Sequence, residues 1–523
     1  MRIESPLDTP IIEDSSNNND DPSMKKMAAG AGVSLFGTIL ARGLDFFKQV
    51  AMARFLGAQL FGLYALGWNT LRLVGILATA GLHTGVMHFA TAYHHKNNGA
   101  FKSVIIRSIL ISFAIGWAIT LVLILIAPWL TTTLFNSPEF LNLFRVFALM
   151  LPFLGALRVA ATATRISQRM QYAILAEDIT QSTVNLILFT IFYLVGWRLL
   201  GAIISTVMAY IAALVLAIYF LYKLFGEEFR NSSHQLVSDR TLLTYSMPTA
   251  FAEFSGALIT RVDRIFLGYF RTSAEVGVYQ AAAQLSVIMA SVLYAFNMIL
   301  MPMISEQFHK KDMRQLEELF RVNTKWGIYS VVPLVLIIGF ASEDIMVVLF
   351  GAEYLAGATA LLILTVGQFI NIATGATATI LIMTGNQTRW FRLSMIMMFI
   401  NLALNLLLIP KWGLNGAALV TSITISAQFI VGLIMIYRIL HIWPYDRRYI
   451  KGIMSALIVC GALFIVGMID LSPLINLLVT TIISIVGFYG LLLIFGLDPE
   501  DKTFISQIAE RFLRTRREEE SSY

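Results

Sequence analysis

Apolar runs of about 20 residues recur along this chain from Lys25 onward, and each is long enough to cross a bilayer as an α-helix. Hydrophobic residues make up 57% of the 523 residues and charged residues 13%, against about 25% charged in globular domains. A soluble core cannot bury so much apolar surface, whereas lipid can. The sequence therefore predicts an all-α polytopic membrane protein with about 14 transmembrane helices.

The basic residues indicate how these helices are oriented. They gather in alternate connections, namely Lys25, Lys26, Lys96, Lys102, Arg165, Arg169, Arg230, Arg240, Lys310, Lys311, Arg314, Arg389, Arg392, Arg447, Arg448 and Lys451. By the positive-inside rule, both termini are cytoplasmic and the protein lies in the cytoplasmic (inner) membrane. The net charge of +6 does not predict a nucleic-acid partner, because these residues lie between apolar runs.

Short sequence matches recur at a spacing of 215 residues. Three pairs show it: Phe55…Gly62-Leu-Tyr64 with Phe270…Gly277-Val-Tyr279, Leu134-Phe135 with Leu349-Phe350, and Trp197…Gly201-Ala202 with Trp412…Gly416-Ala417. The spacing covers six predicted helices, an even number, so the two copies run the same way through the membrane. This predicts a parallel repeat about an axis normal to the bilayer, with a substrate path between the copies.

The repeat divides the chain into segments. We expect a disordered cytoplasmic tail at 1–23, an N-terminal six-helix bundle at 24–223, a cytoplasmic linker at 224–241, a C-terminal six-helix bundle at 242–438, two additional helices at 449–495, and a cytoplasmic basic tail with an amphipathic face at 496–523.

Several arginines fall deep inside apolar runs. Arg42, Arg72, Arg261 and Arg264 are the deepest, and a charge at mid-bilayer costs roughly 2.5–3.5 kcal/mol on insertion scales. We predict that these four line a cationic cavity for an anionic group, because guanidinium groups bind phosphate with paired donors. The alternative is structural ion pairing, for example between Arg42 and Asp45.

Other charged or titratable residues allow two interpretations. Arg158 and Arg165 approach the cytoplasmic end of their run, where they would either join the cavity or extend to the membrane surface. Asp45 and Asp263 are candidates for gating or ion coupling. His83 and His88 form either a proton relay or hydrogen-bonded packing contacts.

Motifs for other chemistry are absent from the sequence. There is no GxxxxGK[ST] phosphate loop and no HExxH zinc pair. The single cysteine, Cys460, excludes a disulfide within the chain and a cysteine-based metal cage. We expect no metal, no cofactor and no enzymatic activity.

Three motifs resemble the polysaccharide-transport family. They are Ala53-Arg-Phe-Leu-Gly57 followed by Phe61-Gly-Leu-Tyr-Ala65, Asp263-Arg-Ile-Phe-Leu-Gly268 followed by Glu275-Val-Gly-Val-Tyr279, and Asn401-Leu-Ala-Leu-Asn405 continuing through Pro410-Lys-Trp-Gly413 to Ala418. That family includes the O-antigen-type flippases and belongs to the multidrug/oligosaccharidyl-lipid/polysaccharide (MOP) exporter superfamily. The resemblance covers nearly the whole chain from Lys25 to about Leu497.

This resemblance implies a flippase that moves a polyprenyl-diphosphate-linked oligosaccharide from the inner to the outer leaflet by alternating access. The partners it implies are the lipid-linked glycan, membrane lipids, a polysaccharide polymerase and glycosyltransferases. An ion-coupled multidrug exporter of the same superfamily is one alternative, although it would favour an acidic cavity. A membrane glycan ligase or polymerase is another, but it needs a larger external loop than any here.

Overall fold

The computed structural model describes residues 22–230, 237–496 and 498–502, with side chains from residue 37 onward except at four positions within 292–299. Within these residues the chain is helical, as predicted. The α-helices are α1 Pro22–Thr79, α2 Leu82–Tyr93, α3 Asn98–Trp129, α4 Leu141–Ala148, α5 Met150–Thr164, α6 Met170–Ile174, α7 Gln181–Leu194, α8 Arg198–Arg230, α9 Asp239–Phe270, α10 Ser273–His309, α11 Met313–Leu349, α12 Ala358–Ala373, α13 Thr377–Met383, α14 Gln387–Leu440, α15 Tyr449–Val466, α16 Pro473–Ile482 and α17 Phe488–Ile494.

Nine helical segments in the described part of the chain are long and apolar enough to cross a membrane. They are Gly37–Tyr93, Asn98–Leu134, Pro138–Ser167, Arg198–Arg230, Met313–Leu349, Ala352–Ala373, Gln387–Leu440, Tyr449–Val466 and Pro473–Ile494. This confirms an all-α polytopic membrane protein. The number of about 14 spans and the cytoplasmic termini stay predictions.

Two of these helical segments are interrupted by a glycine with a positive φ. Gly57 interrupts α1 with φ 75° and ψ 169°, and Gly413 interrupts α14 with φ 52° and ψ −131°. Both lie in the left-handed region of φ, which glycine reaches without a steric penalty. After the first break the amide of Ala58 donates to Glu353 Oε2 at 3.0 Å. A side chain of the C-terminal half therefore caps the second part of α1.

The two halves of the chain meet in reciprocal contacts. We define the N-half as α1–α8 and the C-half as α9–α14. A Cβ on Gly62 would lie 1.7 Å from the carbonyl oxygen of Ser273, and a Cβ on Gly277 would lie 2.1 Å from that of Ala58. The residues of each half are related by the same 215-residue spacing, so the two backbones cross on the repeat axis.

The same spacing relates two contacts between a tyrosine and a threonine hydroxyl. Tyr64 Oη lies 3.0 Å from Thr206 Oγ1 in the N-half, and Tyr279 Oη lies 3.4 Å from Thr421 Oγ1 in the C-half. Each tyrosine and its threonine occupy equivalent places in the two copies. These pairs and the glycine crossing support the parallel repeat.

Helices α15–α17 pack outside the C-half, against α11. Their small core consists of Val459, Leu463, Phe488 and Leu492, with Tyr329 of α11 packed beside it. Below this core, charged side chains fix the end of the segment: Lys325 Nζ of α11 contacts Asp498, Glu500 and Asp501 at 2.7–3.1 Å. The predicted additional helices are thus tied to α11 by both packing and charge.

Three of the predicted segments lie partly outside the residues that the structure describes. Helix α8 continues to Arg230 and α9 begins at Asp239, so helix extends into both ends of the predicted linker at 224–241. Most of the predicted tails at 1–23 and 496–523 lies outside the described residues. The segment limits remain predictions.

Candidate functional site

A polar cavity of about 720 Å³ lies between the two halves. Its walls come from α1, α2, α5, α7, α8 and the turns between α5 and α7 on one side, and from α9 and α10 on the other. The charged side chains that line it are Arg42, Asp45, Arg72, Arg158, Arg165, Glu177, Asp178, Arg261 and Arg264. Six arginines outnumber three carboxylates among these described lining residues, so the cavity carries a net positive charge.

The structure brings the predicted site residues together with one exception. Arg42, Arg72, Arg158, Arg261, Arg264 and Asp45 all lie on the cavity wall. Asp263 does not line it, because its side chain is fully buried behind Arg264. His83 reaches the wall as well.

The Arg72 side chain lies over the ring of Trp68. Its guanidinium lies 5.3 Å from the centre of the Trp68 ring, and its Nη1 donates to Tyr210 Oη at 3.3 Å. Lys48 Nζ lies 5.7 Å from the same ring. The face of an aromatic ring attracts cations, so Trp68 positions two positive charges beside the cavity.

The carboxylate of Asp45 pairs with Lys48. Lys48 Nζ donates to Asp45 Oδ1 at 2.5 Å, and the lysine side chain is buried. Arg42, the other partner considered for Asp45, does not pair with it in the structure. Among the described residues Arg42 makes no hydrogen bond or ion pair, and its side chain is exposed toward the cavity.

Arg261 and Arg264 have different surroundings, although one helical turn separates them. Arg261 Nη1 donates to Asn69 Oδ1 at 3.0 Å and is only partly buried. Arg264 donates to Asp263 Oδ1 and Gln280 Oε1, each at 2.8 Å, and to a backbone carbonyl. The donors of Arg264 are therefore largely occupied, whereas Arg261 keeps donors free for a ligand.

Asp263 is the centre of a buried network. Besides Arg264, its carboxylate accepts hydrogen bonds from Tyr279 Oη at 2.6 Å and from Thr421 Oγ1 at 3.1 Å. A fully buried carboxylate with three donors is satisfied where it stands. Its geometry is that of a structural ion pair.

Amide side chains connect the two halves across the cavity. Gln280 Oε1 of α10 accepts from Asn69 Nδ2 of α1 at 3.2 Å. The pairs of Gln49 with Gln280 and Gln49 with Gln284 both lie at 3.4 Å. These contacts join α1 to α10 next to the arginines.

A second contact between the halves lies toward the end of the cavity that the charge distribution predicts to be cytoplasmic. Glu253 of α9 pairs with His83 Nε2 of α2 at 2.8 Å and with Arg158 Nη2 of α5 at 3.0 Å. Thr84 Oγ1 donates to Thr249 Oγ1 at 3.2 Å beside them. We call these residues the inner contact.

Several of these residues have no assigned role in the sequence analysis. Glu253 is one of them. The sequence feature that could have identified it is a single carboxylate within an apolar helix. Glu177 and Asp178 are others, carried on the π-helical turn Leu175–Thr180. Turns of π-helix are common at functional sites. The spacing of hydrophobic residues in the sequence does not reveal where such a turn inserts its extra residue. His88 stacks on Tyr245 with ring centroids 4.5 Å apart, as a packing residue.

Two family models match the chain. The model described as "Polysaccharide biosynthesis protein" matches residues 27–308, and the model described as "MatE" matches residues 248–407. The first match covers more than half of the chain. The two overlap within the C-half.

Curated relatives match at low identity. "Capsular polysaccharide biosynthesis protein CapF" of Staphylococcus aureus is 28% identical over 48% of this chain and 63% of its own length. "Probable low-salt glycan biosynthesis flippase Agl15" of Haloferax volcanii is 25% identical over 43% and 48%. The chain thus spans about half to two thirds of these relatives. "Uncharacterized membrane protein MJ1068" of Methanocaldococcus jannaschii is 22% identical over 93% and 99%.

Solved structures share the fold. "Lipid II flippase MurJ, inward closed conformation" superposes with a TM-score of 0.72 at 16% identity, covering 88% of this chain and 98% of that one. An inward-facing "multidrug resistance MATE family transporter of the MOP superfamily" reaches 0.66 at 16% identity, covering 79% and 98%. At such identities the likeness shows the fold alone.

Proposed function

This chain belongs to the polysaccharide biosynthesis protein family of the MOP superfamily, and from that premise we propose that it is a flippase for a polyprenyl-diphosphate-linked oligosaccharide. The observation that carries the proposal is the arginine-lined cavity between the halves. The names of CapF, Agl15 and the MurJ lipid II flippase point to the same substrate class. Flippases and transporters among the similar proteins favour transport over catalysis.

The diphosphate binds to the arginines that keep free donors. Arg42 is without a hydrogen-bond partner in the described part of the chain, Arg72 has one weak acceptor, and Arg261 has one amide acceptor. Guanidinium forks suit the paired oxygens of a diphosphate. Arg158 joins this set when the inner contact opens and Glu253 releases it.

The glycan occupies the polar remainder of the cavity. Gln284 is only partly buried on the wall and offers amide donors and acceptors to hydroxyl groups, whereas Trp68 already has Arg72 and Lys48 over its ring. The polyprenyl tail stays in the bilayer, because moving it into a polar cavity would remove its apolar surface from lipid. A charged head group therefore moves while its anchor remains in the hydrocarbon.

Alternating access needs one contact that opens at each end of the cavity. The glycine crossing at Gly62 and Gly277 closes the predicted external end, and the inner contact closes the other. Opening the inner contact admits the head group from the cytoplasm, and opening the crossing releases it. Asp45 faces the cavity, so it remains our candidate for gating or coupling, whereas buried Asp263 holds Arg264 in place.

The experiment measures glycan export in cells and in proteoliposomes. Arg42→Ala, Arg72→Ala and Arg261→Ala should each lower export at least tenfold, about 1.4 kcal/mol of lost binding, without changing membrane abundance. Arg389→Ala is the matched control, because Arg389 is an exposed arginine outside the cavity. Normal export by all three cavity variants would refute the proposal.

A multidrug exporter is the second candidate, and the MatE match favours it. A cationic drug would meet six arginines in this cavity, which like-charge repulsion disfavours. Uptake of a cationic dye by everted vesicles separates the two functions. Dye transport that survives loss of the arginines would support the exporter.

A further inference from the structure

Two adjacent histidines and a glutamate form a cluster away from the cavity. His94 and His95 follow the end of α2, and Glu228 lies in the last turn of α8. One donor atom from each lies within 4.8 Å of the other two. The cluster belongs to the predicted cytoplasmic side, and the flippase proposal gives it no role.

The backbone directs both imidazoles to the same place. His95 has φ 62°, a left-handed conformation that few residues other than glycine adopt. The centroids of the two rings lie 3.7 Å apart, with 35° between the ring planes. Phe101 and Phe225 pack against the His94 ring at 5.0 and 5.7 Å, so its position is fixed before any ligand arrives.

The carboxylate of Glu228 is incompletely satisfied. His94 Nε2 lies 3.5 Å from Glu228 Oε1, which is longer than a normal hydrogen bond of about 2.7–3.2 Å. The other oxygen, Oε2, is buried and has no hydrogen-bond partner within the described ranges. The carboxylate also stands at the negative end of the α8 dipole. The neighbouring Lys102 donates to the carbonyl of Phe229 instead.

We propose that His94, His95 and Glu228 bind a divalent transition-metal ion, with Zn²⁺ as the best fit. Two imidazoles and a carboxylate match the ligands that zinc takes, with a water in the fourth position, while Ca²⁺ and Mg²⁺ prefer oxygen ligands only. In a tetrahedral site, zinc–ligand bonds of about 2.0–2.2 Å place the donor atoms roughly 3.4 Å apart. Small side-chain rotations close the remaining gap.

The bound ion joins the connection after α2 to the end of α8. Its ligands come from the connection after α2 and from the last turn of α8, so the ion links these two places at the predicted cytoplasmic rim of the N-half. The first turn of α2 forms the inner contact through His83. The site therefore stiffens the helix against which the C-half closes.

The test uses the full chain, purified in detergent with a tag that contains no histidines. Zinc is titrated in competition with a chromogenic indicator, and one ion per chain is expected. His94→Ala and Glu228→Gln should weaken binding by at least roughly tenfold. His94→Cys should retain it, since a thiolate also binds zinc, and size-exclusion profiles check that each variant is folded.

Two variants outside the proposed site serve as matched controls. Glu227→Gln changes the exposed neighbour of Glu228, and His309→Ala removes an exposed histidine at the end of α10; both should bind zinc like the wild type. Zinc binding that is absent from the wild type, or unchanged in His94→Ala and Glu228→Gln, overturns the proposal. Arg72→Ala should bind zinc normally, so this result is independent of the transport assays.

Discussion

Arg261 and Arg264 show how much one helical turn changes the role of an identical side chain. Both come from the same apolar run, and the sequence predicts the same cavity role for both. In the structure Arg261 keeps most of its donors open, while Arg264 uses most of its donors and neutralises the fully buried carboxylate of Asp263. We therefore expect different phenotypes from the two alanine variants.

Arg264→Ala should destabilise the protein. Removing one partner of a buried ion pair leaves an uncompensated charge, at a cost of about 3–5 kcal/mol. We expect a lower melting temperature in detergent and reduced membrane abundance, whereas Arg261→Ala should melt like the wild type. The double variant Arg264→Ala, Asp263→Asn should recover part of the loss. Full stability of Arg264→Ala alone would contradict the structural role of this arginine.

Sequence reasoning placed the buried charges in a cavity but could not assign their partners. A deep arginine must avoid lipid, and all four do so. Which acid pairs with which base depends on neighbours far away in sequence, as with Glu253, which meets His83 and Arg158 from two other helices. Spacing along one helix suggested Arg42 for Asp45, but the residue one turn further, Lys48, is the partner.

At the scale of elements, the closest approach is the crossing of α1 and α10. A methyl group on Gly62 would lie 1.7 Å from a carbonyl oxygen, so Gly62→Ala must push the helices apart. We expect it to lower both the melting temperature and export. Gly43→Ala in the same helix is the control, since nothing lies within 4 Å of its Cβ. Equal behaviour of the two variants would mean that the crossing is looser than described.

The junction of α15–α17 with α11 should be sensitive to acid. Burial opposes ionisation of Asp498 and Glu500. Hydrogen bonds outweigh it, from Lys451 and Lys325 to Asp498 and from Lys325 to Glu500, and hold the pKa of each carboxyl below its usual range. A depressed pKa in the folded state adds stability that is complete above the ordinary carboxyl pKa of about 4 and is lost as the pH falls below it.

The measurement compares the melting temperature of the wild type with that of the double variant Asp498→Asn, Glu500→Gln. It runs from pH 7 down to the lowest pH at which the protein stays soluble in detergent. The wild type should be the more stable at neutral pH, and the difference should shrink as the pH falls through about 4. Replacing Lys502, a charged residue outside this network, by Gln serves as the control. A difference that does not vary with pH would argue against the ionic contribution.

Hydrophobic length predicted the helices better than it predicted their ends. Helix α1, for example, is interrupted at Gly57, where the chain needs a left-handed φ. The predicted linker at 224–241 is instead entered by helix from both sides, because Phe225 and Phe229 continue the buried face of α8. Polarity marks where lipid ends, but helices extend beyond it wherever packing continues.

At the scale of the whole molecule, the inner contact should open in every transport cycle. Thr84 and Thr249 face each other across it at 3.2 Å, so cysteines at both positions are close enough for a disulfide. In a background with Cys460→Ser, oxidation of the double-cysteine variant should stop export and a reductant should restore it. Either single-cysteine variant should transport under both conditions. Export that continues through the cross-link would rule out this contact as a gate.

The glycine crossing and the paired tyrosines also carry a historical consequence. Residues on the axis touch their own counterparts, so a change in an ancestor of half this length would have acted on both subunits of a symmetric dimer at once. In a fused repeat that constraint no longer applies away from the axis. Lys48 and Gln49 stand where the other copy has Asp263 and Arg264. The repeat thus gives the crossing its symmetry, while each copy has its own charges at equivalent positions.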